Sequence, residues 1–205
     1  MARSLLLLFL FSVVPTLSFA SENSERDALV QKRLESGRSF YQGGKNEEAI
    51  REFREAIKLD PNHSWAHLWL GRALGRKIEK MNPVRAAFGV GDVRREFERA
   101  VELDPRNLEA RSDLLQFYMD APGVFGGGMD KARKQAEAIA KLDAAEGHSA
   151  YAKIAEKEQR FEQAEQEYRA AIDANPKHPG YRRDLEAFWK KHGMQRREAE
   201  KLQPQ

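Results

Sequence analysis

The chain has no cysteine in 205 residues. Disulfides, zinc fingers, iron–sulfur clusters and thiol catalysis are therefore excluded. Charge of one sign is also lacking: 35 Lys and Arg stand against 32 Asp and Glu, a formal net charge of +3 with no long single-sign run. A nucleic-acid footprint needs a clustered basic excess, so no nucleic-acid partner is expected. Aromatic residues are few at 9%, and Gly (14) and Pro (8) are ordinary. Long apolar runs occur only at the extreme N-terminus. What is abundant is charge of both signs, 33% of residues, mixed with Ala and Leu in the manner of helical chains. The length suits one substantial domain, or a stack of small units sharing a continuous core.

Residues 1–20 read as an address. Arg3 precedes an apolar stretch from Leu5 to Val14, followed by Pro15 and by the small residues Ser18 and Ala20 two positions apart. That is the layout of a secretory signal peptide. Its apolar core of about ten residues is half of the roughly twenty that a membrane span needs. The chain then turns polar, Ser21-Glu22-Asn23-Ser24-Glu25-Arg26, and residues 21–29 read as a polar linker. Cleavage after Ala20 is expected, removing only Arg3 among the charges and taking the net charge from +3 to +2. The expected destination is the periplasm or the exterior, with no stable membrane span after cleavage. The competing reading keeps the segment as an uncleaved anchor.

The rest of the sequence repeats itself. Ala49, Phe53, Ala56 and Pro61 follow one another at spacings of 4, 3 and 5. The same spacings recur at Val93, Phe97, Ala100 and Pro105, and at Ala164, Tyr168, Ala171 and Pro176. A weaker copy, Ala132, Ala136, Ile139 and Ala144, has Ala in the proline slot. Steps of 4 and 3 put the first three residues on one helical stripe. Proline then ends the helix, because the residue before it (Asp60, Asp104 or Asn175) is driven out of the α region. Another helical segment precedes each copy, marked by Gly37 and Phe40, by Leu70, Gly71 and Leu74, by Leu114, Leu115 and Tyr118, and by Tyr151, Ala152 and Ala155. Gly37, Gly71 and Ala152 would let two helices approach closely, and Gly43-Gly44 supplies a turn.

This pattern of a large residue, Gly, an aromatic, then Ala, an aromatic, Ala and Pro resembles the tetratricopeptide repeat family, here in an exported bacterial form. Residues 30–63 and 145–178 meet it almost fully, and the resemblance covers nearly all of the chain after the leader. It implies an all-α, right-handed α-solenoid of helix-turn-helix units at 30–63, 64–107, 108–144 and 145–178. Residues 179–205 read as a partial repeat or capping helix and a tail, with Leu185, Phe188 and Trp189 facing inward. Two units exceed the family length. The second carries about ten extra residues within 75–92 and the third about five within 120–129, and loops carry function more often than packing positions do. The first insertion reads as a lid, a short extra helix on the stack or a tolerated extension. The second exposes Val124 and Phe125 unless they fold back onto the core.

Chemical motifs are nearly absent. Gly123 to Gly128 has the glycines of a phosphate loop, but Met129-Asp130 follows where Lys should stand. His63 and His67 are four apart, yet no Glu follows His63 and no clear third ligand exists. No GxSxG elbow is present. Carboxylates such as Glu47-Glu48 and Glu156 with Glu158 alternate with Lys and Arg at helical spacing, as on solvated faces. No catalytic residue, metal or cofactor is expected, and the protein is not expected to be an enzyme.

In the family, the first helix of each pair lines a concave surface. By position this implies Leu34, Arg38, Tyr41 and Gln42 in the first unit, and Trp65, Leu68, Arg72 and Arg76 in the second. The third offers Ser112, Gln116 and Met119, the fourth Ser149, Lys153 and Lys157, and Arg183, Lys190 and Lys191 extend the row. Such a lining is basic with a few aromatic and apolar anchors, suited to an acidic peptide or a free C-terminal carboxylate, since Arg forks onto carboxylates. The competing reading packs Trp65 and Leu68 between units and leaves the arginines as solubilising charge. Chaperone tails are not the expected partner, because Leu34 and Ser112 stand where the clamp of chaperone-binding members would want polar or basic groups. The expected function is an exported, non-catalytic protein-interaction scaffold. The alternative is an accessory domain of a cell-envelope enzyme, or a membrane-tethered assembly factor, using the insertions. The enzyme version requires a pocket beneath them with converging polar groups.

Overall fold

The computed structural model describes residues 16–193. The expected leader therefore lies outside the described residues except for 16–20, and so does the tail 194–205. Among the described residues there are nine α-helices and one 3₁₀ turn, and no strand. In order they are α1 (Thr16–Gln42), α2 (Asn46–Leu59), α3 (Ser64–Glu79), α4 (Pro83–Leu103), α5 (Leu108–Asp120), the 3₁₀ turn Gly123–Phe125, α6 (Met129–Leu142), α7 (Ala144–Lys157), α8 (Phe161–Ala174) and α9 (Pro179–Lys191). Successive helices pack as hairpins α1–α2, α3–α4, α5–α6 and α7–α8, each stacked on the next, with α9 covering α8. The protein is an all-α helical repeat solenoid. Contacts of α1 with α3 and of α5 with α7 put the odd-numbered helices on the inner side of the stack. Residues 21–29, read from sequence as a linker, belong to α1, and 22–29 are exposed.

The repeated stripe explains the stacking. Ala49, Phe53 and Ala56 are fully buried, and Val93, Phe97, Ala100, Ala164, Tyr168 and Ala171 are buried as well. Gly37 lies so close under the Phe53 ring that a Cβ there would stand 2.5 Å from Cε1, and a Cβ on Gly71 would stand 2.7 Å from Phe97 Cδ1. Glycine is thus the room the aromatic ring occupies. Each stripe ends as the pre-proline rule requires: Asp60, Asp104 and Asn175 leave the α region and their amides bond Ala56, Ala100 and Ala171 carbonyls. Pro61, Pro105 and Pro176 sit exposed in the turns. The next helix then starts on a side-chain cap, His63 accepting from the Ala66 amide and Asn107 from that of Ala110. The weaker copy differs. Asp143 ends α6 and also caps α7 by accepting from the Glu146 amide, so Ala144 opens the next helix instead of occupying a turn.

Neither insertion is a simple loop. The first lengthens α3 and α4 into a longer hairpin closed by Lys80–Asn82, with Asn82 capping α4 through the Arg85 amide and Pro83 in its first turn. Gly89 lets Ile78 press against α4, where a Cβ would meet Ile78 Cγ2 at 2.7 Å. At 100° per residue, Val84, Phe88 and Arg95 share the outer stripe, away from Val93 and Phe97, and Phe88 is 83% exposed. In the second insertion Val124 is exposed and Phe125 half-buried. The turn is tied down by the Gly128 amide on the Tyr118 carbonyl and by Gly126 in a left-handed conformation beside Arg94.

The α7–α8 turn repeats the hydrogen bonds of the α1–α2 turn, but Gln159 takes the left-handed position that Gly44 takes in the first unit. A side chain there costs roughly 1–2 kcal/mol, partly offset by the entropy glycine loses on folding. Gln159→Gly is therefore expected to stabilise the protein by up to about 1 kcal/mol, read as a raised Tm. An unchanged or lower Tm would show that this turn carries no strain.

The cap α9 buries Tyr181, Leu185 and Phe188, while Trp189 is half-buried. Phe188 packs on Tyr168 with ring centres 5.5 Å apart. Glu156 of α7 anchors its end: Lys191 donates to Oε1 at 2.7 Å, His192 Nε2 lies 3.0 Å from the same oxygen, and the Tyr168 hydroxyl donates to Oε2 at 3.0 Å. Burial lifts the Glu156 carboxyl, but these donors carry it below its usual 4.5. A depressed carboxylate adds stability above its unfolded pKa and loses it as pH falls through the folded one. Acidification below the usual 4.5 should therefore loosen α9, and Glu156→Gln should flatten that part of the pH profile in urea melts. An identical acid limb in the variant would assign the loss elsewhere.

Candidate functional site

On the inner side of the stack, Trp65, Trp69, Arg72 and Arg76 follow one another along α3 at spacings of 4, 3 and 4. Trp69 is the hub. Arg38 and Arg72 place their guanidinium carbons 5.0 and 4.7 Å from its ring centre, and Tyr41 meets it edge-on at 5.5 Å. Phe53 stacks behind it at 6.2 Å. Cation–π contacts of this kind contribute about 0.5–2 kcal/mol each. Arg76 lies 3.5 Å over the Tyr41 ring centre and donates from Nη1 to the Tyr41 carbonyl at 2.8 Å. Sequence reading passed over Trp69, although the 4-3-4 stripe it shares with both arginines was the signal for it.

Beside this row a cleft of ≈ 580 Å³ opens between α3, α4 and α5. Val90, Val93, Phe97, Ile78 and Phe117 give it an apolar floor, and Tyr41, Arg72, Arg76, Asp113, Gln116 and Asp120 its polar rim. The walls come from both insertions, Ile78, Glu79 and Val90 from the first and Asp120, Ala121 and Pro122 from the second. The volume lies within the roughly 300–1,000 Å³ of ligand sites.

The charges differ from the basic row implied by position. Arg72 is held by α5: its Nε donates to Asp113 at 2.5 Å and its Nη2 lies 2.8 Å from Glu109. Burial alone would lower the Arg72 pKa, but the two carboxylates raise it above its usual value. Burial pushes the Asp113 carboxyl up, and Arg72 and Lys153 draw it only part of the way back. Lys157 and Gln116 both donate to Asp120, at 2.8 and 2.6 Å. Burial lifts Asp120, and those donors bring it below its usual value. Arg72 and Lys157 are therefore already neutralised by α5 acids. Arg38, Arg76 and Lys153 have no ion pair among the described residues.

Other expected contact residues are placed elsewhere. Leu68 is fully buried in the core and cannot meet a partner, which corrects its assignment to the groove. Leu34, Met119 and Ser149 are buried too. Trp65 is exposed near the start of α3, outside the cleft lining. The two histidines serve the fold: His63 caps α3, and His67 places its ring nitrogens 2.7 Å from Glu96 Oε2 and 3.1 Å from the Pro61 carbonyl. No group of three or more His, Cys, Asp or Glu able to hold a metal occurs among the described residues. None of the described helices is long and apolar enough to cross a membrane.

Known proteins share this architecture. A family model described as TPR repeat matches residues 37–77, and one described as tetratricopeptide repeat matches residues 125–179. The DnaJ homolog subfamily C member 7 homolog of Schizosaccharomyces pombe is 27% identical over 161 residues, 73% of this chain and 32% of that protein. The chain thus spans about a third of that relative's length. Among solved structures, Pseudomonas aeruginosa PilF superposes with a TM-score of 0.61 at 15% identity, over 82% of this chain and 71% of that one. MamA does so with a TM-score of 0.55 at 17% identity, over 78% and 85%. At these identities the likeness speaks for the fold alone. With its stacked helix pairs and its glycine-under-aromatic packing, the chain carries tetratricopeptide repeats in the two matched regions, the architecture of protein-interaction scaffolds.

Proposed function

We propose that the protein is an exported, non-catalytic scaffold whose inner face holds an acidic peptide or helical segment of a partner protein. The observation that carries this reading is the set of cations left over on that face. Arg76 lines the apolar-floored cleft, Arg38 lies over the Trp69 ring beside it and Lys153 follows on α7; none of the three has an ion pair among the described residues, whereas Arg72 and Lys157 do. Uncommitted guanidinium groups beside apolar surface favour a carboxylate-bearing ligand. The leader-like layout of residues 1–20 supports a site of action outside the cytoplasm.

The test is photo-crosslinking in the cell. A crosslinking amino acid at Gln116, on the cleft rim, should capture a discrete protein that the same label at Arg51, exposed on α2, does not. Arg38→Glu should abolish that capture while the chain still melts cooperatively, because Arg38 is exposed and loses only its contact on the Trp69 ring, about 0.5–1 kcal/mol at an exposed site. Equal capture from both positions, or capture indifferent to Arg38→Glu, would refute the inner-face reading.

A further inference from the structure

We infer that the two insertions together build a socket for the large apolar side chains of an acidic amphipathic segment, with Arg76 pairing to a carboxylate that flanks them. This deepens the groove reading above and rests on it. In an array of equal-length pairs the inner face stays open along its length. Here the lengthened α3–α4 hairpin and the 120–129 connection wall one place on it, and the cleft lies between them. Its floor is apolar and well supported: Val93 and Phe97 are buried within the α3–α4 hairpin, and Phe117 stands edge-on to Tyr118. Such a floor suits anchors one helical turn apart on a single face of a partner helix.

The rim decides which charge the partner carries. Asp120 is spent on Lys157 and Gln116, and Arg72 and Asp113 are spent on each other. Arg76 is not: it gives one donor to the Tyr41 carbonyl and stacks on that ring, leaving further guanidinium donors at the cleft with no acceptor among the described residues. Glu79, exposed at the same cleft, also has no ion pair among the described residues, so the paired carboxylate has to sit on the Arg76 side, away from Glu79. A carboxylate beside the apolar anchors can take those donors bidentately. The stack on Tyr41 holds the guanidinium in place before the partner arrives, which reduces the ordering cost of binding.

The experiment selects random dodecapeptides from a displayed library on the full chain and on Val90→Trp, Arg76→Glu and Arg38→Glu chains first shown to be folded by helical content and a cooperative melt. Val90 lines the cleft and is half-buried, so Trp there fills the socket. The wild-type pool should be enriched in Phe, Leu or Trp next to Asp or Glu. Its peptides should bind the Val90→Trp chain at least about tenfold more weakly, some 1.4 kcal/mol. The Arg76→Glu pool should keep the apolar residues and exchange the acid for Lys or Arg. Wild-type peptides that bind the Val90→Trp and Arg76→Glu chains within about twofold, yet lose affinity for Arg38→Glu, would overturn the socket while leaving the groove reading intact. A wild-type pool of basic peptides would overturn the charge assignment. No enrichment on the wild-type chain would overturn both readings.

Discussion

Phe53→Ala is expected to cost about 3–5 kcal/mol, the range for truncating a fully buried aromatic ring. Phe53 has no solvent exposure, fills the space left by Gly37 and backs the Trp69 ring at 6.2 Å. Its loss therefore opens a cavity between α1 and α2 and also removes the support of the inner-face cation–π cluster. Stability of a stacked array is roughly a sum of unit and neighbour terms. The first transition in urea should accordingly report the N-terminal units, with α7 to α9 melting later. A cost below about 1 kcal/mol would mean that the neighbours collapse into the gap, and that the glycine-under-ring contact is not what sets the helix spacing.

Arg72→Ala comes second, at about 2–3 kcal/mol at neutral pH. Removing one partner of a fully buried pair costs roughly 3–5 kcal/mol, and this pair keeps some solvent contact. The side chains of Arg72 and Asp113 are 19% and 27% exposed. The sign of the pH dependence separates electrostatics from lost packing. Asp113 already sits above its usual 3.8 because of burial, and without Arg72 it should rise further. A carboxylate raised in the folded state binds its proton more tightly there, so its contribution to stability falls as pH rises above the unfolded value. The difference between Arg72→Ala and wild type should thus shrink on going from neutral pH towards 4, and Asp113→Asn should recover much of the loss at neutral pH. A pH-independent difference would assign the cost to the lost contact with Trp69. Arg72 variants consequently test stability first, whereas Arg38 and Arg76, which have no ion pair among the described residues, are the positions at which to test binding.

The repeat was legible because it is a local property. Spacings of 4, 3 and 5 in residues such as Ala49, Phe53, Ala56 and Pro61 encode one buried stripe and one enforced stop. The shape of the first insertion was partly legible too, since a helix packed on the stack was one of its three readings. Asn82-Pro83 is a helix start, with a capping side chain and a residue whose fixed φ suits the first turn. Gly89 does not interrupt this helix but serves as the close-approach point for Ile78. What no spacing could supply was the charge state of the inner face. Arg72 finds Asp113 across 41 residues and Lys157 finds Asp120 across 37. Those partners become neighbours only when one unit stacks on another. Position within the repeat therefore implied a basic row, and stacking cancels part of it.

The most direct measurement is an NMR titration of the isotopically labelled full chain with the tightest acidic dodecapeptide from the selection. Binding at the inner face is expected to shift the resonances of Tyr41, Arg76, Val90 and Gln116, all of which line the cleft, and to leave the outer stripe of α4 unmoved. Shifts centred instead on Val84, Phe88 and Arg95 would contradict recognition at the inner face and move the binding surface to the outside of the solenoid.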